Sequence, residues 1–401
     1  MSICPVEYWI WLQTALGAGA QTSEILAYFE TPEKLYLAGS GEWRLSGLFT
    51  EKKIQALKSS TPSQTGAVFK ECAQKGYTII TPDSELYPEK LKHLPDMPLV
   101  LYGIGDCSVL QDILSIGIVG TRKASSYGIE TAQKLSFQLA QAGATIVSGG
   151  ALGIDSEAHA GAMLAKGRTL AFLGCGLSYD YLKENASLRR AITRYGAVVS
   201  EYQPFAPPSR VTFPIRNRLI SGASLGIVVI EAGKKSGSLI TANFAANQGK
   251  DVFAVPGDIV RSSFDGTNHL IKNGAKPVFS TEDILSEYEY LHGDLFDIEK
   301  IKGALADVQY VDYRKPTAAK VKHNPAPETE IKTKEVERIQ LGDNVSQEAK
   351  TIYQALNGES MHIDDIVRAT GLKMNVILSS LTELELIGAV EQITGKKYKL
   401  V

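Results

Sequence analysis

Arg216 and Arg218 flank Asn217 inside the stretch FPIRNRLISGAS, residues 213–224, and Arg210 stands just ahead of it. These donors sit where a loop turns into a short helix, and guanidinium forks match phosphate oxygens two at a time, so the chemistry on offer is phosphate recognition. The competing reading is a surface turn whose arginines make ordinary ion pairs. A second stretch, Ser236-Gly237-Ser238 beside Lys234 and Lys235, precedes Leu239-Ile240-Thr241. Small residues opening a helix leave backbone amides free to form an anion-binding nest.

Both stretches fall inside a regular pattern that begins at Ser115. Apolar runs at 116–119, 145–147, 169–173, 197–199, 227–230 and 252–255 alternate with amphipathic segments of helix length. Strands apolar on both faces, each followed by a crossover helix, predict a doubly wound parallel sheet. Ligands of such sheets bind beyond the carboxyl ends of the strands. Those ends read Gly120-Thr121-Arg122, Ser148 to Asp155, Gly174 to Leu177, Ser200-Glu201, Glu231 to Ser238 and Pro256-Gly257-Asp258. Small residues recur at all six, and Arg122, Lys183, Arg210, Arg216, Arg218 and Lys235 are expected on the same side. Tight-turn geometry alone accounts for one or two such loops more easily than for six on one rim.

Other chemistries lose ground. There is no G-x-x-x-x-G-K-[ST] and no G-x-G-x-x-G after the first strand, which disfavours a Walker-type triphosphate site and a dinucleotide site. His93, His159, His269, His292, His323 and His362 lack ligand spacing, so no metal is expected. His159 reads as a packed helix residue or, alternatively, a base. Asp155, Glu201 and Glu231 are candidate acids or bases, and Asp155 is equally a helix cap. No nucleophile–base pair emerges, and no cofactor is implied. Cys4, Cys72, Cys107 and Cys175 form no C-x-x-C pair, consistent with a reduced, cytoplasmic compartment. Lys plus Arg (42) nearly balance Asp plus Glu (44), so a nucleic-acid surface must be a local cluster. No run approaches about 18 apolar residues, and no membrane association is expected.

Around the sheet, residues 1–75 read as a small helical domain of SAM or helix-hairpin-helix type, with helices at 6–16, 23–29 and 50–58 and Thr50 as a cap. The turn Leu45-Ser46-Gly47-Leu48 either meets a phosphate or merely packs. A proline-rich connector ending at Leu99 to Tyr102 leads onto the edge of a main domain spanning 76–295. Residues 296–345 lose hydrophobic periodicity and read as a flexible linker. Helical patterns at 347–356, 362–369 and 373–386 precede a hairpin at 389–401, the order of a winged helix over 346–401. That segment holds seven acids against six bases, which favours a protein-contact role over duplex DNA binding.

GTR at 120–122, SGGALGID at 148–155, AHAGAM at 158–163, GCGL at 174–177, FPIRNRLISGAS, SGSLITA at 236–242, VFAVPGD at 252–258 and GTNHLI at 266–271 together resemble the DprA/Smf family of DNA-processing proteins, over residues 76 to about 290. The resemblance implies an extended Rossmann-like fold that forms a homodimer, binds single-stranded DNA, and helps load the RecA recombinase in natural transformation without catalytic turnover. Carried onto this chain, Arg122, Lys183, Arg210, Phe213, Arg216, Asn217 and Arg218 would line the strand pocket. The Lys235-Ser236-Gly237-Ser238 turn, read above as an anion nest, would complete its wall. Phe213 would either stack on a base or pack in the core. Three departures stand out: Leu152 where SG-x-A-x-GID often has arginine, Ser178 for a usual Asp, and Tyr181-Leu182 for a usual Tyr-Pro. By analogy with phosphoribohydrolases of related fold, the alternative is an enzyme using the same rim to bind or hydrolyse a nucleotide.

Overall fold

The computed structural model describes residues 5–181, 183–295, 345–356, 361–372, 374–387, 389–393 and 397–400. The chain divides into two compact units, 1–319 and 320–401. The first unit is built on a sheet of nine strands: β1 (Thr78–Ile80), β2 (Leu101–Gly105), β3 (Ser115–Val119), β4 (Thr145–Ser148), β5 (Thr169–Leu173), β6 (Gly196–Ser200), β7 (Gly226–Val229), β8 (Asp251–Ala254) and β9 (Lys276–Pro277). Their order is β1-β2-β6-β5-β4-β3-β7-β8-β9.

The six strands expected from the apolar runs are β3 to β8, and they pair in parallel throughout. Alternate residues feed two cores. Ile116, Ile118, Ile146, Val228 and Ile230 face the helices Ser126–Gln141 and Ile154–Leu164. Val119, Val147, Leu170, Val199, Ile227 and Val229 face Leu219, Ile220 and Ala223 of the helix Thr212–Ala223 and Ala242 and Ala245 of the helix Ser238–Asn247. Burial on both faces is why these strands read as continuous apolar runs instead of alternating ones. The chain runs outward from β3 to β6, then returns to place β7 on the other side of β3. That reversal opens a crevice at the carboxyl ends of β3 and β7, the switch point at which such sheets bind ligands.

The sheet extends further than the sequence pattern predicts. β2 lies antiparallel to β6, and β1 antiparallel to β2. The connector does lead onto an edge, as expected. β1 and β9 are three and two residues long, too short for an apolar run to announce them.

The N-terminal helices are Pro5–Leu16, Ser23–Phe29, Pro32–Leu45, Glu51–Lys58 and Gly66–Lys75. Thr50 caps its helix as expected, accepting from the Lys53 amide at 3.3 Å. The helices at 32–45 and 66–75 were not expected. Thr31-Pro32 looks like a break and is a start: Thr31 Oγ1 accepts from the Lys34 amide at 3.1 Å, and Pro32 occupies the first turn, where no N–H is needed. Replacing Thr31 with alanine should cost about 1 kcal/mol of stability in chemical denaturation. The helices are not a separate body. Trp9, Trp11, Leu35 and Trp43 share one core with Leu99, Val100 and Tyr102. Gln13 links the parts, donating to the Glu201 carbonyl and accepting from the Val100 amide.

In the second unit the helices Gln347–Ala355, Ile363–Thr370 and Met374–Leu386 pack around Ile352, Ile366, Ile377, Leu381 and Leu384. Strands β10 (Met361–His362), β11 (Val390–Ile393) and β12 (Lys397–Leu400) form an antiparallel sheet in the order β10-β12-β11. β10 adds a third strand to the expected hairpin. The Glu383 carboxylate accepts from the Ser346 amide at 2.9 Å, which ties the third helix to the start of the first. The linker expected at 296–345 lies outside the described residues except for Val345, as do Leu182, Asn357-Gly358 and Gly395. No helix among the described residues is long and apolar enough to cross a membrane.

Candidate nucleic-acid interface

A pocket of about 730 Å³ lies at the switch point. Its walls are the loop after β3 (Gly120, Thr121, Arg122), the turn after β4 (Ala151, Asp155), Tyr181 beyond β5, the segment 208–217 beyond β6, and Ser236 to Thr241 beyond β7.

The β3 loop is pinned at both ends by one buried residue. The Thr121 amide donates to the Glu231 carbonyl at 2.8 Å. The Glu231 carboxylate accepts from the Ser125 amide and hydroxyl at 2.9 and 2.8 Å. Gly120 is required here, since a Cβ would stand 2.5 Å from Ile154 Cγ1. Between these anchors Arg122 is exposed, with its Cζ 5.2 Å from the centre of the Phe213 ring, a cation–π geometry. Arg122 and Arg210, both exposed, have no carboxylate within ion-pair distance among the described residues.

Phe213 is half-buried, and part of its ring packs as a core residue does. One side packs against Gly174, where a Cβ would come within 2.8 Å of Phe213 Cδ1, and against Tyr181 at 5.3 Å between ring centres. The ring also lines the pocket beneath Arg122.

Arg216 forms part of the floor. Only 4% exposed, it donates through Nη1 to the Gly149 carbonyl at 2.7 Å and to the Phe172 carbonyl, and through Nε to Asn217 Oδ1 at 3.2 Å. Gly149 leaves room for it, because a Cβ would lie 2.6 Å from Arg216 Nη1. Burial pushes the Asp155 carboxyl above its ordinary range, and the Arg216 charge and the Ala151 amide pull it back. Burial likewise lowers the Arg216 pKa, opposed by Asp155. His159 is a packed residue: fully buried, its Nδ1 is 2.7 Å from Thr169 Oγ1, and desolvation with the nearby Arg216 charge takes it down to about 3.

Asn217 Nδ2 donates to the Gly237 carbonyl at 3.3 Å and so fastens the helix Thr212–Ala223 to the Ser236-Gly237-Ser238 turn. In that turn the two serine hydroxyls are 2.8 Å apart and Gly237 is exposed. The turn opens the helix Ser238–Asn247 and lines the pocket, with its first amides engaged inside the turn: Ser238 donates to Ser236 Oγ at 3.4 Å, and Leu239 and Ile240 donate to the Ser236 and Gly237 carbonyls at 3.2 Å.

The pocket gathers Arg122, Arg210, Phe213, Arg216, Asn217, Ser236, Gly237 and Ser238. Three expected members do not line it. Arg218 is 1% exposed on the far side of its helix, where Nη2 donates to both Glu201 oxygens at 2.7 and 2.8 Å. Asp96 approaches its Nε at 3.1 Å, off the N–H direction. Arg218 therefore holds the loop and is not available to a ligand. Lys183 is 81% exposed and pairs with Asp180 at 3.3 Å. Lys235 projects into solvent beside the turn. The sequence reading missed Tyr181 and the Glu231–Ser125 clamp. Ser125, one residue ahead of the helix Ser126–Gln141, carried an ordinary cap signal that was the available clue.

Residues 78–289 match the family described as DNA recombination-mediator protein A, and residues 337–396 match the DprA winged helix domain. Protein Smf of Synechocystis is 33% identical over 98% of this chain and 98% of its own. The DNA processing protein DprA of Bacillus subtilis is 41% identical over 53% of this chain and 72% of its own. The X-ray structure of DprA from Streptococcus pneumoniae superposes with a TM-score of 0.62 at 33% identity, over 72% of this chain and 99% of that one. With more than half of the sequence inside the family match and a relative aligned from end to end, the chain belongs to the DprA/Smf family.

Proposed function

We propose that this protein binds single-stranded DNA at the switch-point pocket, protects the incoming strand, and helps load the RecA recombinase onto it during natural transformation. It acts in the cytoplasm as a homodimer and without catalytic turnover. The observation that carries the reading is the pairing of two exposed arginines, Arg122 and Arg210, free of any carboxylate partner among the described residues, with a half-buried aromatic ring in one pocket. Free guanidiniums and a ring under a cation are the parts from which sequence-tolerant strand sites are made. The three buried carboxylates that could serve as acid or base are each engaged in holding the site: Asp155 beside Arg216, Glu201 on Arg218, and Glu231 on Ser125. That supports binding over chemistry.

Titration of labelled oligothymidylates of increasing length at several salt concentrations tests the reading. Affinity should rise with length, and log K should fall against log salt with a slope of about 0.7 per phosphate neutralised. Tight binding of a mononucleotide with turnover, and no gain with length, would replace the proposal with a nucleotide-hydrolysing enzyme.

A further inference from the structure

The loops that follow β5 and β6 leave the sheet side by side and are laced together. The Gly176 amide donates to the Ala206 carbonyl and the Ser178 amide to the Pro204 carbonyl, both at 2.9 Å. Gly176 admits this approach, since a Cβ there would be 2.5 Å from the Pro204 carbonyl carbon. The second loop turns tightly, with the Ala206 amide donating to the Gln203 carbonyl at 2.9 Å. Phe205 sits in that turn and is 53% exposed; Tyr179, in the first loop, is 43% exposed.

The N-terminal helices brace both loops from behind. Ser178 Oγ donates to Glu71 Oε1 at 2.5 Å, and Gln203 Nε2 donates to Thr14 Oγ1 at 2.7 Å. The Tyr202 hydroxyl donates to the Thr212 carbonyl at 3.0 Å, tying the second loop to the helix that carries Phe213. Two large rings are thus held out in water on a support with little freedom to fold them away. Tyr179 also continues an aromatic surface. The Tyr181 ring is 5.3 Å from Phe213, and Tyr179, Tyr181 and Phe213 together line a narrow cleft. The carboxylate in this stretch, Asp180, is paired with Lys183.

We propose that Tyr179 and Phe205 form a second base-stacking station, over which a single strand seated at Arg122 and Phe213 continues as it leaves the pocket. This rests on the strand-binding reading of the pocket. It also gives the helical module a role, since its Thr14 and Glu71 set the rigidity of the two loops. Rings on a fixed support stack bases with little ordering cost, and every base offers a face, so the station is indifferent to sequence.

The test uses the full chain, with oligothymidylates of about six and about twenty nucleotides, near the lower end of single-fold site sizes and beyond their upper end. In the double variant Tyr179→Ala/Phe205→Ala the short oligomer should bind as to wild type. The long one should weaken about 10- to 100-fold with an unchanged salt slope, because no charge has been removed. Arg122→Ala should weaken both lengths. Phe205→Trp should keep full affinity and report quenching of its indole by the long oligomer and not by the short one. Wild-type affinity of the double variant for the long oligomer, or an indole unmoved at saturation, would overturn the proposal while leaving the pocket intact. Loss of effect in Arg122→Ala alone would strike the pocket reading instead.

Discussion

Replacing Arg218 with alanine lowers the unfolding free energy by about 3–5 kcal/mol in urea titration at neutral pH. The size follows from what is left behind. Glu201 is 2% exposed, and its carboxylate receives both short contacts from Arg218 Nη2. Without the guanidinium, a charge remains in a place where water cannot reach it, and Asp96 adds a second negative charge nearby. The pair itself adds little over an apolar substitute of similar shape, so Arg218→Met/Glu201→Leu should recover most of the loss.

The same pair fixes a pH dependence. Burial raises the Glu201 pKa above its ordinary value, and Arg218 opposes that rise. Removing Arg218 lets the folded-state pKa climb further while the unfolded value stays near about 4.3. A folded state that holds a proton more tightly than the unfolded chain loses stability as pH rises through the folded pKa. The deficit of Arg218→Ala should therefore be smallest near about pH 4–5 and grow toward about pH 8. Adding Glu201→Gln should flatten it. An equal deficit at both ends of that range would show that Glu201 is not the group left uncompensated.

Arg216 and Arg218 also show where the sequence was legible and where it was not. Residues two apart on a helix are turned by roughly 200°, whereas positions three and four apart share a face. Phe213, Arg216 and Asn217 have the second spacing and line the pocket, while Arg218 falls on the opposite side and into the core. The periodicity was present, but reading the stretch as donors opening a helix treated the two arginines alike. β3 to β8 were readable because burial on both faces leaves short apolar runs, and their length and the small residues that end them separate them from buried helices. β9, Lys276-Pro277, has no such run, and only its pairing to Phe253 and Ala254 makes it a strand. Rim membership followed from the strand ends, but orientation did not. Lys183 and Lys235 occupy rim loops and turn into solvent, because no buried partner draws them inward. The Glu231 clamp was hidden for a different reason. A lone glutamate after a strand gives no sign that its partner is Ser125, more than a hundred residues earlier.

Arg122→Ala is the single substitution expected to cost most in strand binding, about 10- to 100-fold at moderate salt, corresponding to the loss of roughly 1.5–3 kcal/mol from charge-assisted hydrogen bonds. Arg122 is exposed and unpaired among the described residues, so folding gains little from it and the thermal midpoint should hold. The loop that carries it is fixed independently, by Thr121 on the Glu231 carbonyl and Ser125 on the Glu231 carboxylate. Removing the side chain therefore subtracts a contact without moving the backbone. One phosphate fewer should be neutralised, and the salt slope should fall by about 0.7. Arg122→Lys separates charge from shape. It restores the slope but only part of the affinity, because an ammonium lacks the planar fork that can lie 5.2 Å over the Phe213 ring and still grip two oxygens. If Arg122→Ala binds oligothymidylate with wild-type affinity and slope, the strand does not pass under this residue, and the assignment of the pocket fails with it.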